Sequence, residues 1–365
     1  MRLAYVTTYK ASNIGAWSGL GYHILRALQH SDFQTEYIGP LKERYFLYTM
    51  AKTLFYRTVL LKRYSRDREP IQLIDYANQV QKHLKLINYD LVFSPGTIPI
   101  AYLKTDKPIV FWTDATFAGM KDFYPGGSNL CKETIRDGNK MEQLALSKCR
   151  LAIYSSEWAA KTAVENYDVD PQKVKVVPFG SNIECERNFK DIDLLADNKN
   201  FDICKLIFIG VDWHRKGGSR ALEIAQKLNQ RGLKTELHIV GCDPPIELPS
   251  FAKSYGFLSK KNNQDIELLN NLMSESHFLI LPSIAECCPV VFAEASSFGL
   301  PSIATKVGGI TTVIADGKNG FTFELDEKTD KYCDAIEKLM NSKIQYKELS
   351  KSTFSQYSTR LNWKT

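Results

Sequence analysis

Glu286 and Glu294 are separated by seven residues in LPSIAECCPVVFAEASSFGLPSIATKVGG, residues 281–309. The apolar run HFLILPS before the first Glu reads as a buried strand. The run after Pro289 reads as a helix start, because proline fits the first helical turn. Glu286 then lies in a strand-to-helix loop and Glu294 in the opening turns of the helix. A helix start offers unpaired backbone N–H groups and the positive end of a dipole, which suits phosphate. Carboxylates repel phosphate, so here they are better explained as acceptors for sugar hydroxyls. An anion-binding backbone between two hydroxyl-binding carboxylates describes a nucleotide-sugar site. A solvent-facing Glu286 and an ordinary first-turn acid at Glu294 give the same spacing. Pro301 to Thr305 reads as a further short buried strand, ended at Val307-Gly308-Gly309. The paired glycines suit either close ligand approach or a plain turn.

These residues resemble the family-4 retaining glycosyltransferases, whose GT-B fold is α/β, with two Rossmann-like lobes facing across a cleft. Glu286 through Glu294 match the family's E-x7-E motif, and EASSFGLPSIAT matches its usual continuation. The resemblance covers nearly the whole chain. It implies that Glu286 contacts the transferred sugar and Glu294 the nucleotide ribose. It also implies that the backbone of Cys288, Pro289, Val290 and Val291 supports the diphosphate and sugar. One departure follows: an acid is common after the paired glycines, where this chain has Thr311 and Thr312.

The diphosphate needs positive charge, and FIGVDWHRKGG, residues 208–218, supplies it. Lys216 before Gly217-Gly218 resembles the family's phosphate-binding element. An Arg is common just after the strand's glycine, where this chain has Val211; Arg215 offers that charge from another loop position. A solvent-facing Arg-Lys pair in a glycine-rich turn is the alternative, and Asp212 and Trp213 read as shaping the loop. NIGAWSGLGYHI lacks the GxGxxG dinucleotide fingerprint. Its position matches the family's glycine-containing loop after the first strand, which by resemblance approaches the diphosphate and acceptor, with Ser18, Gly19 and Leu20 as the closest positional matches. An ordinary glycine-rich turn also fits. Asp114 in FWTDATF stands where the family often has His. It suits an acceptor hydroxyl or its proton, or else a helix cap. Tyr255-Gly256-Phe257-Leu258 resembles the backbone segment that meets the donor base.

What the resemblance implies is transfer of a hexose from a nucleoside diphosphate sugar to a hydroxyl acceptor, with retention. UDP-hexose is the first expectation for the donor and GDP-mannose the next. Arg215 and Lys216 would stabilise the leaving diphosphate, so no metal is expected, and no cofactor beyond the donor substrate. Glu286, Lys216, Arg215 and Asp114 form the expected catalytic set. Another nucleotide-sugar enzyme, or an inactive glycosyltransferase-like binding or scaffold subunit, are the alternatives.

At 365 residues the chain can build two full cores. Its 44% hydrophobic and 24% charged residues suit a globular protein. No apolar stretch approaches the roughly 20 residues that span a bilayer. The eight cysteines form no CxxC pair or Cys/His cluster, which points to neither zinc nor a disulfide scaffold. A cytoplasmic location is expected, with peripheral attachment to the inner face of a membrane as a variant. A net charge of +6 without a recognition motif speaks against nucleic acid.

The N-terminal half alternates strand-like runs (LAYVTTY, TEYIGP, LVFSPG, PIVFWTD, LAIYSS, VKVVPFG) with helical segments near 20–30, 71–87, 138–148 and 156–166. A second alternating set holds KLIFIGV, TELHIVG, SYGFLS, HFLILPS and PSIAT. Such alternation predicts mostly parallel sheets. Residues 181–204 are polar and lack steady periodicity, so they read as a linker or insertion. The expected domains are 1–182 on the acceptor side and 183–345 on the donor side. The family resemblance implies that 346–365 crosses back to the first. From Lys42 to Arg66, seven basic residues and Glu43 are interleaved with aromatic and aliphatic ones. This segment suits an anionic membrane surface at the acceptor side, with Lys52 and Arg57 as cations and Phe46, Phe55 and Tyr56 as apolar contacts. It equally suits a helix packed on its lobe by one face with its cations in solvent.

Overall fold

A computed structural model describes residues 1–31 and 33–364. The chain divides into two compact units, Met1–Val177 and Pro178–Trp363. In the first, strands β1 (Arg2–Val6), β2 (Gln34–Ile38), β3 (Leu91–Ser94), β4 (Ile109–Thr113), β5 (Leu151–Tyr154) and β6 (Val174–Val176) form a parallel sheet. Their order is β2-β1-β3-β4-β5-β6. Helices α1 (Leu20–His30), α2 (Phe46–Thr58), α3 (Pro70–Leu84), α4 (Phe117–Met120), α5 (Lys132–Lys148) and α6 (Glu157–Asn166) connect them. Val92, Phe111, Ala152 and Tyr154 of the sheet share one core with Leu73 and Val80 of α3 and Met141 and Ala145 of α5. β1 and β3 are buried along most of their length and read as near-continuous apolar runs, whereas β2, β4 and β6 are partly exposed.

The second unit repeats the plan. Strands β7 (Cys204–Ile209), β8 (Thr235–Val240), β9 (Ala252–Ser254), β10 (Phe278–Leu281), β11 (Ser302–Thr305) and β12 (Gly320–Phe323) are all parallel, in the order β12-β11-β10-β7-β8-β9. Its helices are α7 (Phe189–Asp197), α8 (Gly218–Gln230), α9 (Asn263–Glu275), α10 (Val291–Ser296), α11 (Ile310–Val313), α12 (Thr329–Met340) and α13 (Lys343–Arg360). All four residues of β10 are fully buried. The strand order reverses between β7 and β10, since the chain leaves β7 for β8 on one side and returns to β10 on the other. Ligands of such sheets bind at the carboxyl ends of the strands flanking this reversal. Both units are Rossmann-like α/β lobes, the architecture of the GT-B fold.

Three readings change. SYGFLS is not itself the strand, which ends at Ser254 before Gly256 takes a positive φ of 64°. The polar stretch 181–204 contains α7, opened by a capping box in which Asn188 and Asp191 serve each other's backbone. Ile192 and Ala196 bury one face of that helix, a short signal inside a polar surround. From 346 to 360 the chain is the rest of α13, which packs within the second unit. Tyr346 donates to the His277 carbonyl at 2.9 Å, Ser350 to that of Gly299 at 2.7 Å, and Phe354 meets Phe189 edge-on at 5.1 Å. Among the described residues no helix is long and apolar enough to cross a membrane.

Candidate functional site

At the reversal in the second unit, the loop after β7 meets the loop after β10. Lys216 Nζ lies 2.6 Å from Glu286 Oε1, and Arg215 Nη1 lies 2.8 Å from the same oxygen. Two cations thus converge on one carboxylate oxygen. Arg215 also donates to the Ala285 carbonyl at 3.0 Å, and Ile284 N donates to the Arg215 carbonyl at 2.9 Å, so backbone as well as charge ties the loops. The Glu286 side chain is 5% exposed, against 12% for Lys216 and 15% for Arg215. Burial pulls the Lys216 pKa below the ordinary lysine value, opposed by Glu286. An added anion here would favour the charged lysine.

The local sequence makes this geometry available. Lys216 folds back over Gly210, where a Cβ would fall 2.8 Å from the Lys216 Cγ. Gly217 has φ 78°, and a Cβ there would come within 2.0 Å of the Pro282 carbonyl oxygen. Only glycine allows both that backbone and the close approach of the β10 loop. Asp212 accepts the Arg215 N–H at 3.0 Å, and Trp213 Nε1 donates to Ser219 at 3.1 Å, which pins the turn onto the start of α8.

Glu294 is 4% exposed and lies in α10, one turn into the helix. Its Oε1 is bonded to Lys260 Nζ, from the loop that follows Gly256, Phe257 and Leu258. Lys260 is absent from the sequence reading. It lies 34 residues from its partner and belongs to no pattern that would single it out. Phe257, three residues past the end of β9, is 71% exposed, and Gly256 accepts the Gly241 N–H at 2.8 Å. The α10 helix begins at Val291, with Val290 at its N-cap and Pro289 two residues before it; Cys288 and Pro289 are buried. The structure therefore brings Arg215, Lys216 and Glu286 into direct contact, while Glu294 is paired to Lys260.

In the first unit, Asp114 follows β4 and its Oδ2 accepts from Trp17 Nε1 at 3.2 Å. It does not cap the following helix. Thr116 does so, accepting the Gly119 N–H at 2.9 Å. Trp17 and Ser18 have φ of 47° and 54°, and Gly19 follows with φ 81° before Leu20 opens α1. Two non-glycine residues in the left-handed region are strained. Asp114 holds the first of them, so the loop containing Gly19 and Leu20 is set by a carboxylate 97 residues away from Trp17.

Residues 204–342 match the family model "Glycosyl transferases group 1". The D-inositol 3-phosphate glycosyltransferase of Geodermatophilus obscurus is 27% identical over 212 residues, covering 53% of this chain and 46% of that protein. The chain thus spans about half the length of that relative. Among solved structures, sucrose-phosphate synthase from Thermosynechococcus elongatus superposes with a TM-score of 0.70 at 14% identity, covering 100% of this chain and 95% of that one. HepE of Anabaena in complex with UDP-glucose gives 0.63 at 16% identity, covering 100% and 96%. At such identities the structural likeness shows the fold alone. The second lobe thus carries a segment similar to glycosyl transferases group 1, and the two Rossmann-like lobes share the GT-B architecture of these solved structures.

Proposed function

We propose that the protein transfers a hexose from a nucleoside diphosphate sugar to a hydroxyl acceptor, with retention at the anomeric carbon. The observation that carries this reading is the convergence of Lys216 and Arg215 on Glu286 at the strand-order reversal. Two fixed cations at a strand end suit a leaving diphosphate, whose charge grows as the glycosidic bond breaks. Glu286 then holds hydroxyls of the transferred sugar and keeps both cations in place before the donor arrives. Glu294 accepts from the ribose once Lys260 shares or releases it. The departing phosphate takes the acceptor proton on the same face, so neither Glu acts as a covalent nucleophile. Asp114 in the first unit receives or orients the acceptor hydroxyl. UDP-hexose is the favoured donor and GDP-mannose the next; the likeness to a fold neighbour solved with UDP-glucose supports that order.

Donor titration into wild type and Glu286→Gln, with folding checked by circular dichroism, tests the assignment. Equal donor affinity and equal transfer in the two proteins would sink it. Competition among UDP, GDP and ADP orders the bases, and a marked preference for GDP would displace UDP. Product analysis decides the chemistry. A new glycoside of retained configuration is expected, whereas free sugar or inversion contradicts the mechanism. Donor binding without turnover on a broad acceptor panel would favour a scaffold.

A further inference from the structure

Helix α2 is turned inside out. Thr49, Lys52, Thr53 and Tyr56, at helical spacings of three and four, face its own unit. Thr49 is buried, and Lys52 Nζ reaches Glu69 at 2.6 Å and Glu133 at 2.7 Å. Tyr56 donates to Glu133 at 2.8 Å, and Arg66 donates to Thr49 at 3.2 Å. The polar face is therefore the packed one. The opposite face carries Leu47, Met50, Leu54 and Phe55, which are 76%, 49%, 62% and 50% exposed. Apolar surface continues past the helix through Val59 and Leu61. A contiguous exposed patch of this kind marks an interaction surface.

The end of the helix adds a second observation. Lys62 N donates to the Tyr56 carbonyl at 2.9 Å, which closes the helix with Leu61 at φ 50°. Glycine is the usual occupant of that left-handed position. Here a leucine takes it at a steric cost and remains 74% exposed. The turn delivers Lys62 and Arg63 beside Arg57 around a hollow of about 530 Å³, whose other lining includes Thr53, Tyr64 and Asn129 and no carboxylate. Lys62 donates to Asn129 at 2.7 Å and Arg63 to the Pro125 carbonyl, so both heads are held at the rim.

An apolar ridge ending in a cationic hollow complements one kind of surface. We propose that the outer face of α2, continued through Leu61, inserts into the interfacial layer of an anionic lipid bilayer, with Arg57, Lys62 and Arg63 gathering an anionic headgroup at its end. The apolar face supplies salt-resistant attachment, and the three cations supply selectivity for anionic lipid. The role expected for Lys52 as a membrane cation is corrected: its ion pairs anchor the helix so that the apolar side faces out.

Flotation with phosphatidylcholine vesicles, with and without phosphatidylglycerol, at low and near-physiological salt, tests the proposal. Wild type should float with the anionic vesicles at both salts. Leu47→Glu/Leu54→Glu should lose binding by about tenfold or more at both salts, because it places charge on the inserting face. Arg57→Glu/Lys62→Glu should lose about tenfold at low salt and less near physiological salt, where exposed charges are screened. UDP binding by calorimetry serves as the fold control and should be equal in all three. Absence of UDP binding throughout would count against the donor reading while leaving the vesicle result to stand. No flotation of wild type at low salt, or unchanged flotation of the leucine variant, overturns the proposal. So does a wild-type dimer that the leucine variant dissociates without any vesicle binding, since the face would then meet a second copy of the chain.

Discussion

Lys216 and Lys52 are both lysines sunk among carboxylates, and they are held in opposite ways. At Lys216 two cations share one carboxylate oxygen; at Lys52 one cation is shared by two carboxylates. In the first arrangement burial works against the charge and lowers the Lys216 pKa. In the second, burial is opposed by hydrogen bonds to Glu133 and Glu69, and the Lys52 pKa rises above the ordinary lysine range. A cation that its protein partners leave under-compensated has charge to offer a ligand. A cation already over-compensated has none, and its task is to hold elements together. On the proposed function, this balance of partners distinguishes Lys216, as the donor-binding lysine, from Lys52, which ties elements together.

The largest effect should come from Lys216→Met. Transfer is expected to fall about a hundred- to a thousandfold, with a melting temperature close to wild type, because Glu286 keeps Arg215. Steady-state rates beside a thermal melt check this, and a collapse of the fold with no separate loss of rate would erase the contrast. Lys52→Met should show the reverse. Leaving Glu69 and Glu133 without their shared cation should destabilise by about 3 kcal/mol, read as a shift in the denaturant midpoint, while UDP affinity is unchanged.

Glu142 sharpens the same rule from the acid side. It is 2% exposed, accepts from Thr97 at 2.9 Å and has no cation within ion-pair distance among the described residues. Burial, the largest cause, pushes its pKa from 4.5 to about 7. A folded-state pKa above the unfolded one means that the folded chain retains the proton while the unfolded chain loses it. Stability is then lost as pH rises from about 4.5 to about 7. Glu142→Gln should gain little at pH ~5 and on the order of 3 kcal/mol at pH ~8. Urea denaturation at the two pH values measures the difference; an equal gain at both would point to packing rather than charge. The smallest effect is expected at Lys260→Met. Leaving Glu294 unpaired should weaken nucleotide binding roughly three- to tenfold, with Glu294→Gln in the same background restoring part of it. Calorimetry with UDP reads both.

Much of this was legible in the residues. Strand-like runs marked ten of the twelve described strands, while β9 was placed too late and β12 was not marked; the most buried runs, such as β10, were the clearest. In the glycine-rich turn, motif and position marked Lys216 as a phosphate ligand, but its ion pair with Glu286, far along the chain, was not legible there. The less legible parts depend on distant partners. Lys52 meets carboxylates 17 and 81 residues away, so its sequence neighbourhood showed a basic aromatic helix but not which face would pack. Trp17 and Asp114 are separated by 97 residues, and Lys260 and Glu294 by 34. The α7 helix was missed for another reason: two buried positions in nine residues leave too little apolar periodicity to stand out from a polar stretch.

Gly210 carries a consequence for descent. Its bare Cα is the space through which the Lys216 stem passes, with a hypothetical Cβ only 2.8 Å from the Lys216 Cγ. A lineage that acquires alanine at 210 must displace the limb that carries the ammonium, and one that loses the lysine no longer needs the vacancy. The two positions are therefore expected to constrain each other: a side chain at 210 fits only where the one at 216 no longer runs past it.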